Sequence, residues 1–142
     1  MFAICNLAIV PLRFEPSDKS ELVSQVLFGE HFKIIEQNKN WSKIELATDK
    51  YQGWIDNKQF INITEEEYNL LENSTQFYNG DLIEYITNEN HYLLPIPLGS
   101  NLTFLTNNKI NHKNYRVREK YPKFSLEKII SKINNFGVKS PK

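Results

Sequence analysis

The spacing of apolar runs and turn formers in the first sixty residues most limits what this chain can become. An apolar run over residues 2–10 meets Pro11, which cannot donate to a sheet ladder and is expected to end a strand there. Glu15-Pro16-Ser17-Asp18-Lys19-Ser20 follows, rich in turn formers, and reads as a polar loop. Residues 23–28 then run to Gly29, 31–36 to Asn38-Lys39-Asn40, 41–46 to Thr48-Asp49-Lys50, and 51–55 to Asp56. Five short segments, rich in β-branched and aromatic residues and divided by turns, predict a small barrel. In Trp41-Ser42-Lys43-Ile44-Glu45-Leu46 the apolar positions alternate with one slip, which a bulge would absorb.

The remainder reads differently. Thr64 with Glu67 three residues on has the spacing of a helix capping box, and Tyr68, Leu70 and Leu71 supply an apolar face for a short helix. Strands are expected at 82–86, 92–94 and 102–105, with Pro95-Ile96-Pro97-Leu98-Gly99-Ser100 as a turn-rich link. From Lys123 the pattern becomes helical. Ser125 caps, Leu126, Ile129, Ile130 and Ile133 form one stripe, Gly137 stops it, and Lys128 and Lys132 lie off the stripe.

Charge follows the same division. The chain has 142 residues with 17 basic and 17 acidic side chains, so the net charge is zero and the basic surplus of a nucleic-acid binder is absent. By segment, residues 1–60 carry −1, 61–122 carry −3 and 123–142 carry +4. Residues 61–90 hold seven acids and no Lys or Arg. No segment reaches the roughly 18 to 20 apolar residues of a membrane span. The start lacks a basic leader and a small-residue cleavage site, so a chain that begins at Met1 is expected in the cytoplasm; a start further upstream would allow the periplasm or cell envelope.

The order of the first elements, a strand, a polar loop and a tight meander closing on Gly53-Trp54-Ile55, is that of an SH3-type barrel. Val10-Pro11-Leu12-Arg13, Glu15-Pro16-Ser17, Ser20-Glu21-Leu22-Val23-Ser24-Gln25, Leu27-Phe28-Gly29-Glu30, Trp41-Ser42-Lys43-Ile44 and Tyr51-Gln52-Gly53-Trp54-Ile55-Asp56 carry a closer likeness. This string resembles the bacterial SH3-like (SH3b) domain at the front of NlpC-type cysteine endopeptidases that cut peptidoglycan stem peptides. The resemblance implies a mainly β chain of two small SH3-like barrels in tandem followed by a C-terminal amphipathic helix: an SH3-like barrel over 1–60, a second SH3-like β domain with a short entry helix over 61–122, and a linker helix and tail over 123–142.

It also implies a partner, since the catalytic domain of such an enzyme would follow where this sequence stops. Its Asp-Cys-Ser-Gly motif has no counterpart here. Cys5, the single cysteine, sits in an expected strand and reads as a small buried residue. His31, His91 and His112 have no ligand spacing, and Glu65-Glu66-Glu67 reads as a solvated helix start. No catalytic residue, metal or cofactor is assigned. In the resembled enzymes the first barrel walls the substrate site and restricts cleavage to short peptides with a free N-terminal L-Ala. An acid and a tyrosine suit an ammonium group, and the best-matching positions are Glu21 and Tyr51, with Glu15 the rival acid. The plainer reading makes Glu21 an exposed loop carboxylate and Tyr51 a packing residue, with Trp41 and Trp54 in the core. The function expected is that of a non-catalytic, substrate-gating module, binding stem peptides together with a catalytic domain in cis or in trans. A free-standing peptide- or cell-wall-binding module is the alternative.

Overall fold

The computed structural model describes residues 1–87, 92–106 and 116–117. The expected helix from Ser125, His91 and His112 lie outside the described residues. Ten strands, one α-helix and one 3₁₀ turn are described: β1 (Phe2–Ile4), β2 (Ile9–Arg13), β3 (Leu22–Leu27), β4 (His31–Gln37), β5 (Trp41–Leu46), β6 (Gln52–Asp56), β7 (Ile61–Ile63), α1 (Glu65–Asn73), β8 (Ile83–Thr87), β9 (Leu93–Pro97), the 3₁₀ turn Thr103–Thr106 and β10 (Arg116–Val117). The fold is mainly β, with every pairing antiparallel.

The first seven strands form one sheet in the order β3-β2-β6-β5-β4-β1-β7. Inward residues of six of them, including Ala3, Val10, Val26, Phe32, Ile44 and Ile55, meet in one buried cluster, so the sheet curls round a single core. The expected apolar strand over 2–10 is two strands, parted at residues 5–8. Pro11 does not end a strand; it lies inside β2, opposite Gln25. The Phe28 N–H donates to the Ala8 carbonyl at 3.1 Å, and hydrogen-bonded pairs alternate along an antiparallel ladder. By that alternation the Pro11 nitrogen faces away from β3, toward β6, which pairs with β2 only at Arg13. No ladder bond is lost.

The slip in β5 has a different cause from the one expected. β5 pairs with β6 without interruption, and Trp41, Lys43 and Glu45 share the outer face while Ser42, Ile44 and Leu46 point inward. The irregularity is in β4, where Ile35 is the extra residue and is exposed. Neither indole is in the core: Trp41 and Trp54 are half-buried, on the outer side of the sheet. The inward position beside Trp54 is Gly53, where an added Cβ would stand 2.5 Å from the Leu12 side chain. That close approach of β6 to β2 is why the dipeptide is Gly-Trp and not two bulky residues.

Helix α1 starts as its sequence expects, with Thr64 Oγ1 accepting the Glu67 N–H at 3.0 Å and Tyr68 and Leu71 buried. After it comes a sheet in the order β10-β8-β9. The first half of the expected link at Pro95–Ser100 is strand, since β9 takes in Pro95 and ends at Pro97, and the turn follows at Leu98 and Gly99. Leu98 N–H donates to the Leu82 carbonyl at 3.1 Å, so by the same alternation both proline nitrogens face the free edge of β9. The expected strand at 102–105 is instead the 3₁₀ turn Thr103–Thr106.

A second buried cluster, Ile4, Phe28, Leu71, Ile86, Ile96, Leu102 and Phe104, lies under this sheet. It borrows from the first unit: Ala3 faces the barrel core and its neighbour Ile4 the second core, and Phe28 reaches across from the β3–β4 turn. The two cores therefore share a seam. At its centre Gly29 has φ +81°, and a Cβ there would lie 1.7 Å from the Asn101 carbonyl oxygen. Only glycine permits that approach.

Candidate functional site

The loop from Phe14 to Glu21 folds back on itself. Phe14 N–H donates to the Glu21 carbonyl at 2.9 Å, Glu15 N–H to Ser20 Oγ at 2.7 Å, and Arg13 Nη1 to the Ser20 carbonyl at 3.1 Å. Both carboxylates, Glu15 and Glu21, are left exposed. Tyr51 stands where β6 begins, 43% exposed, after a turn in which Lys50 has φ 62° and the Tyr51 N–H donates to Asp49 Oδ1 at 3.0 Å. Arg13 of β2 is paired with Leu22 on one side and Trp54 on the other, so Glu21 and Tyr51 lie at the same end of the sheet with β2 between them. No hydrogen bond joins their side chains.

A different acid is held in a built environment. Glu30, in the tight turn after β3, lines a groove of about 430 Å³ with Leu22, Val23, Ser24, Gln25 and Leu27. Its Oε2 is buried without a hydrogen-bond partner. Burial pushes its carboxyl up to about 7, the Leu27 backbone opposes that rise and the charge of Asp49 adds to it. Tyr78 lies close enough that the Glu30 charge, after burial, raises its phenol as well. A half-buried carboxylate with an unused oxygen beside a tyrosine is fitted to receive a cationic donor.

Across the seam, the adjacent residue builds a second recess. His31, only 4% exposed, meets Glu72 of α1 at 2.5 Å between Nε2 and Oε1. These two line a cavity of about 330 Å³ with Ala47, Thr48, Gln76 and Tyr78. The ring stands edge-on to Tyr68 at 5.2 Å, and its Nδ1 is buried without a partner. Burial lowers the imidazole against the opposing pull of Glu72, so His31 is the neutral donor of this pair at neutral pH.

Cys5 is fully buried, its thiol directed at the Leu7 carbonyl at 3.3 Å and pushed up to about 12 by burial. A thiol so placed is not ionised at neutral pH and packs as a small apolar side chain. Among the described residues no three His, Cys, Asp or Glu side chains gather to hold a metal, and no helix is long and apolar enough to cross a membrane. Sequence reasoning singled out Glu21 and Tyr51 and passed over Glu30, His31, Glu72 and Tyr78. The one local signal for Glu30 was its place directly after the glycine of a tight turn. Nothing in the sequence placed Glu72 and Tyr78 against the barrel.

The family model of the bacterial dipeptidyl-peptidase SH3 domain matches residues 12–60. Most of the barrel is therefore similar to a bacterial SH3 domain. The crystal structure of an NlpC/P60 family protein from Bacillus cereus, at 1.79 Å, shares the fold over 88% of this chain, with a TM-score of 0.66 and 14% sequence identity. The chain spans 57% of the length of that structure. No curated protein matches the sequence. The shared fold reaches beyond the SH3 domain into the residues that follow it.

Proposed function

We propose that this chain is the non-catalytic, substrate-gating part of a peptidoglycan-peptide endopeptidase, acting with a catalytic domain in cis or in trans. The match of residues 12–60 to an SH3 domain of bacterial dipeptidyl peptidases carries this reading. The fold shared with an NlpC/P60 protein supports extending it to a second SH3-like domain over 61–122. The ligand is a short stem peptide with a free N-terminal amine. Glu21 is its acid and Tyr51 its aromatic neighbour, with Glu30 a second acid of suitable chemistry.

Titration with L-Ala-γ-D-Glu-diamino acid peptide, followed by amide chemical shifts, tests this. The free-amine peptide should bind and its N-acetyl form should bind about tenfold more weakly, the value of one charge-assisted hydrogen bond. Glu21→Gln should abolish that preference, and unchanged preference in Glu21→Gln with its loss in Glu30→Gln would move the site to the groove. A free-standing interaction module would instead bind cell-wall material with no preference for the amine.

A further inference from the structure

Four strands stand at the ends of the two described sheets: β3 and β7 of one, β9 and β10 of the other. An open edge offers unpaired N–H and C=O groups, and proteins ordinarily blunt it by shortness, charge or proline. β7 has three residues, β10 has two, and β9 turns the nitrogens of Pro95 and Pro97 to its edge. β3 has six residues, and from Ser24 to Leu27 it pairs regularly with β2 and holds no Pro, Lys or Arg.

Strand parity fixes what that edge presents. The Phe28 N–H donates to the Ala8 carbonyl, so Ser24 and Val26 turn their backbone groups to β2, and Gln25 turns both of its own outward. Neither Gln25 group has a hydrogen-bond partner among the described residues. The Leu27 N–H turns the same way, and the Leu27 backbone is what opposes the rise of the Glu30 carboxyl, so this acid stands over the edge at its C-terminal end. The groove of about 430 Å³ follows the same line. It touches Leu22, Val23, Ser24 and Gln25 in turn, residues of both faces, as a groove along the edge of a strand does.

We propose that this edge takes an extended L-polypeptide segment as a further antiparallel strand, with a Lys or Arg of that segment on Glu30. Backbone pairing at Gln25 sets the register, and the buried, unpartnered Oε2 of Glu30 selects the basic side chain. A second copy of this chain is a poorer occupant, because its own β3 holds no Lys or Arg to meet that acid. A stem peptide is poorer still, since a γ-linked residue lengthens the backbone and loses the ladder spacing. On an antiparallel strand, an N-terminal basic residue falls opposite the C-terminal end of β3, where Glu30 lies.

The probe is acetyl-Lys-Thr-Val-Thr-Val-Thr-amide, capped so that lysine is its one cation. It is titrated into the full chain at pH 8, above the Glu30 value of about 7, and followed by amide chemical shifts. Binding should shift the Gln25 and Leu27 amides most. N-methylation of the peptide should weaken binding at least about tenfold at one alternate set of residues and less than about twofold at the other, because only one set faces β3. Gln25→Pro removes the outward N–H without touching a bond to β2, and should bind at least about tenfold more weakly, while Gln25→Ala stays within about twofold. Norleucine in place of the peptide lysine should cost about fivefold in the parent and nothing further in Glu30→Gln. The N-methyl series uses the unaltered chain and decides the matter should Gln25→Pro fail to fold. No binding, equal losses in the two N-methyl sets, parental affinity in folded Gln25→Pro, an undiminished norleucine effect in Glu30→Gln, or a dimer of the chain that excludes the peptide would each overturn the proposal. The stem-peptide reading turns on a free amine, which the capped probe lacks, so the failure of either leaves the other standing.

Discussion

Around the barrel core, Val10, Leu12, Ile44 and Ile55 lie on strands joined to their neighbours by backbone ladders. Around the second core, side chains do that work. Asn79, Ser100, Asn101 and Thr103 are all buried. The Asn79 amide donates to the carbonyls of Asp81 and Pro97, both at 3.0 Å, and its oxygen accepts the Asp81 N–H at 3.0 Å. Asn101 binds Gln76 at 2.9 Å and takes the Thr103 N–H at 2.9 Å, while Thr103 Oγ1 takes the Phe77 N–H at 3.0 Å. One unit is specified by alternation, the other by a polar network that ties loops together. Ladders tolerate many sequences with the right period; a buried network tolerates few, because each unmet group is left desolvated.

The strongest way to break this contrast is at the seam, where the units stop being separate. Gly29→Ala would place a methyl group on the Asn101 carbonyl and force a left-handed φ on alanine, and neither strain relaxes without parting the two cores. A loss of about 4 kcal/mol or more is expected in urea unfolding, with both units melting together. A loss below about 1 kcal/mol would show that the seam is loose and that the two units stand apart.

This difference also explains what was legible in the sequence. The barrel followed from short apolar runs and turn residues because each strand there is read from its own residues and its nearest neighbours. Pro11, Pro95 and Pro97 misled, since a proline's tolerance depends on which edge its nitrogen faces, and the register that decides this is set by another strand. Trp41 and Trp54 misled for a related reason: size suggested the core, but the parity of β5 and β6 puts both outside. Glu21 and Tyr51 are expected from a local likeness alone. Glu30, Tyr78, His31 and Glu72 come together only through the packing of α1 and the following loop on the barrel, which no local pattern encodes.

Within the barrel, parity makes a sharp pair of substitutions. Ile55→Ala removes a fully buried side chain and should cost about 3 kcal/mol. Trp54→Ala, although it deletes more atoms, should cost about half as much, because its half-buried indole leaves no closed cavity. Thermal melts of the two variants decide it. A Trp54→Ala loss equal to or above that of Ile55→Ala would return the indole to the core.

In the second unit, Asn79→Ala should cost about 2 kcal/mol, since it removes the buried side-chain hydrogen bonds to the Asp81 and Pro97 backbone while removing little apolar area. Hydrogen exchange should show faster amides at Asp81, Gly99 and Ser100 with the barrel strands unchanged. If β4 and β5 also exchange faster, the network supports both units and the contrast between them fails.

The smallest expected effect separates neighbours in sequence that face different recesses. Glu30 has its carboxyl raised from 4.5 to about 7, so between those values the folded protein holds a proton that the unfolded chain has lost. Stability from Glu30 is therefore full below about pH 4.5 and falls as pH rises toward 7. His31 has the opposite sign. Its imidazole is lowered from 6.5, so below that pH the unfolded chain binds a proton that the folded form resists, and stability falls as pH falls. Glu30→Gln should accordingly stabilise the protein at pH 8, on the order of 1–2 kcal/mol, and erase the decline between pH 4.5 and 7. What remains in that variant should be a single fall below pH 6.5, the signature of His31 in the seam. A variant no more stable than the parent at pH 8 would mean that the groove hydrates Glu30 well, and the barrel would then hold no strained acid to set it apart from the network beside it.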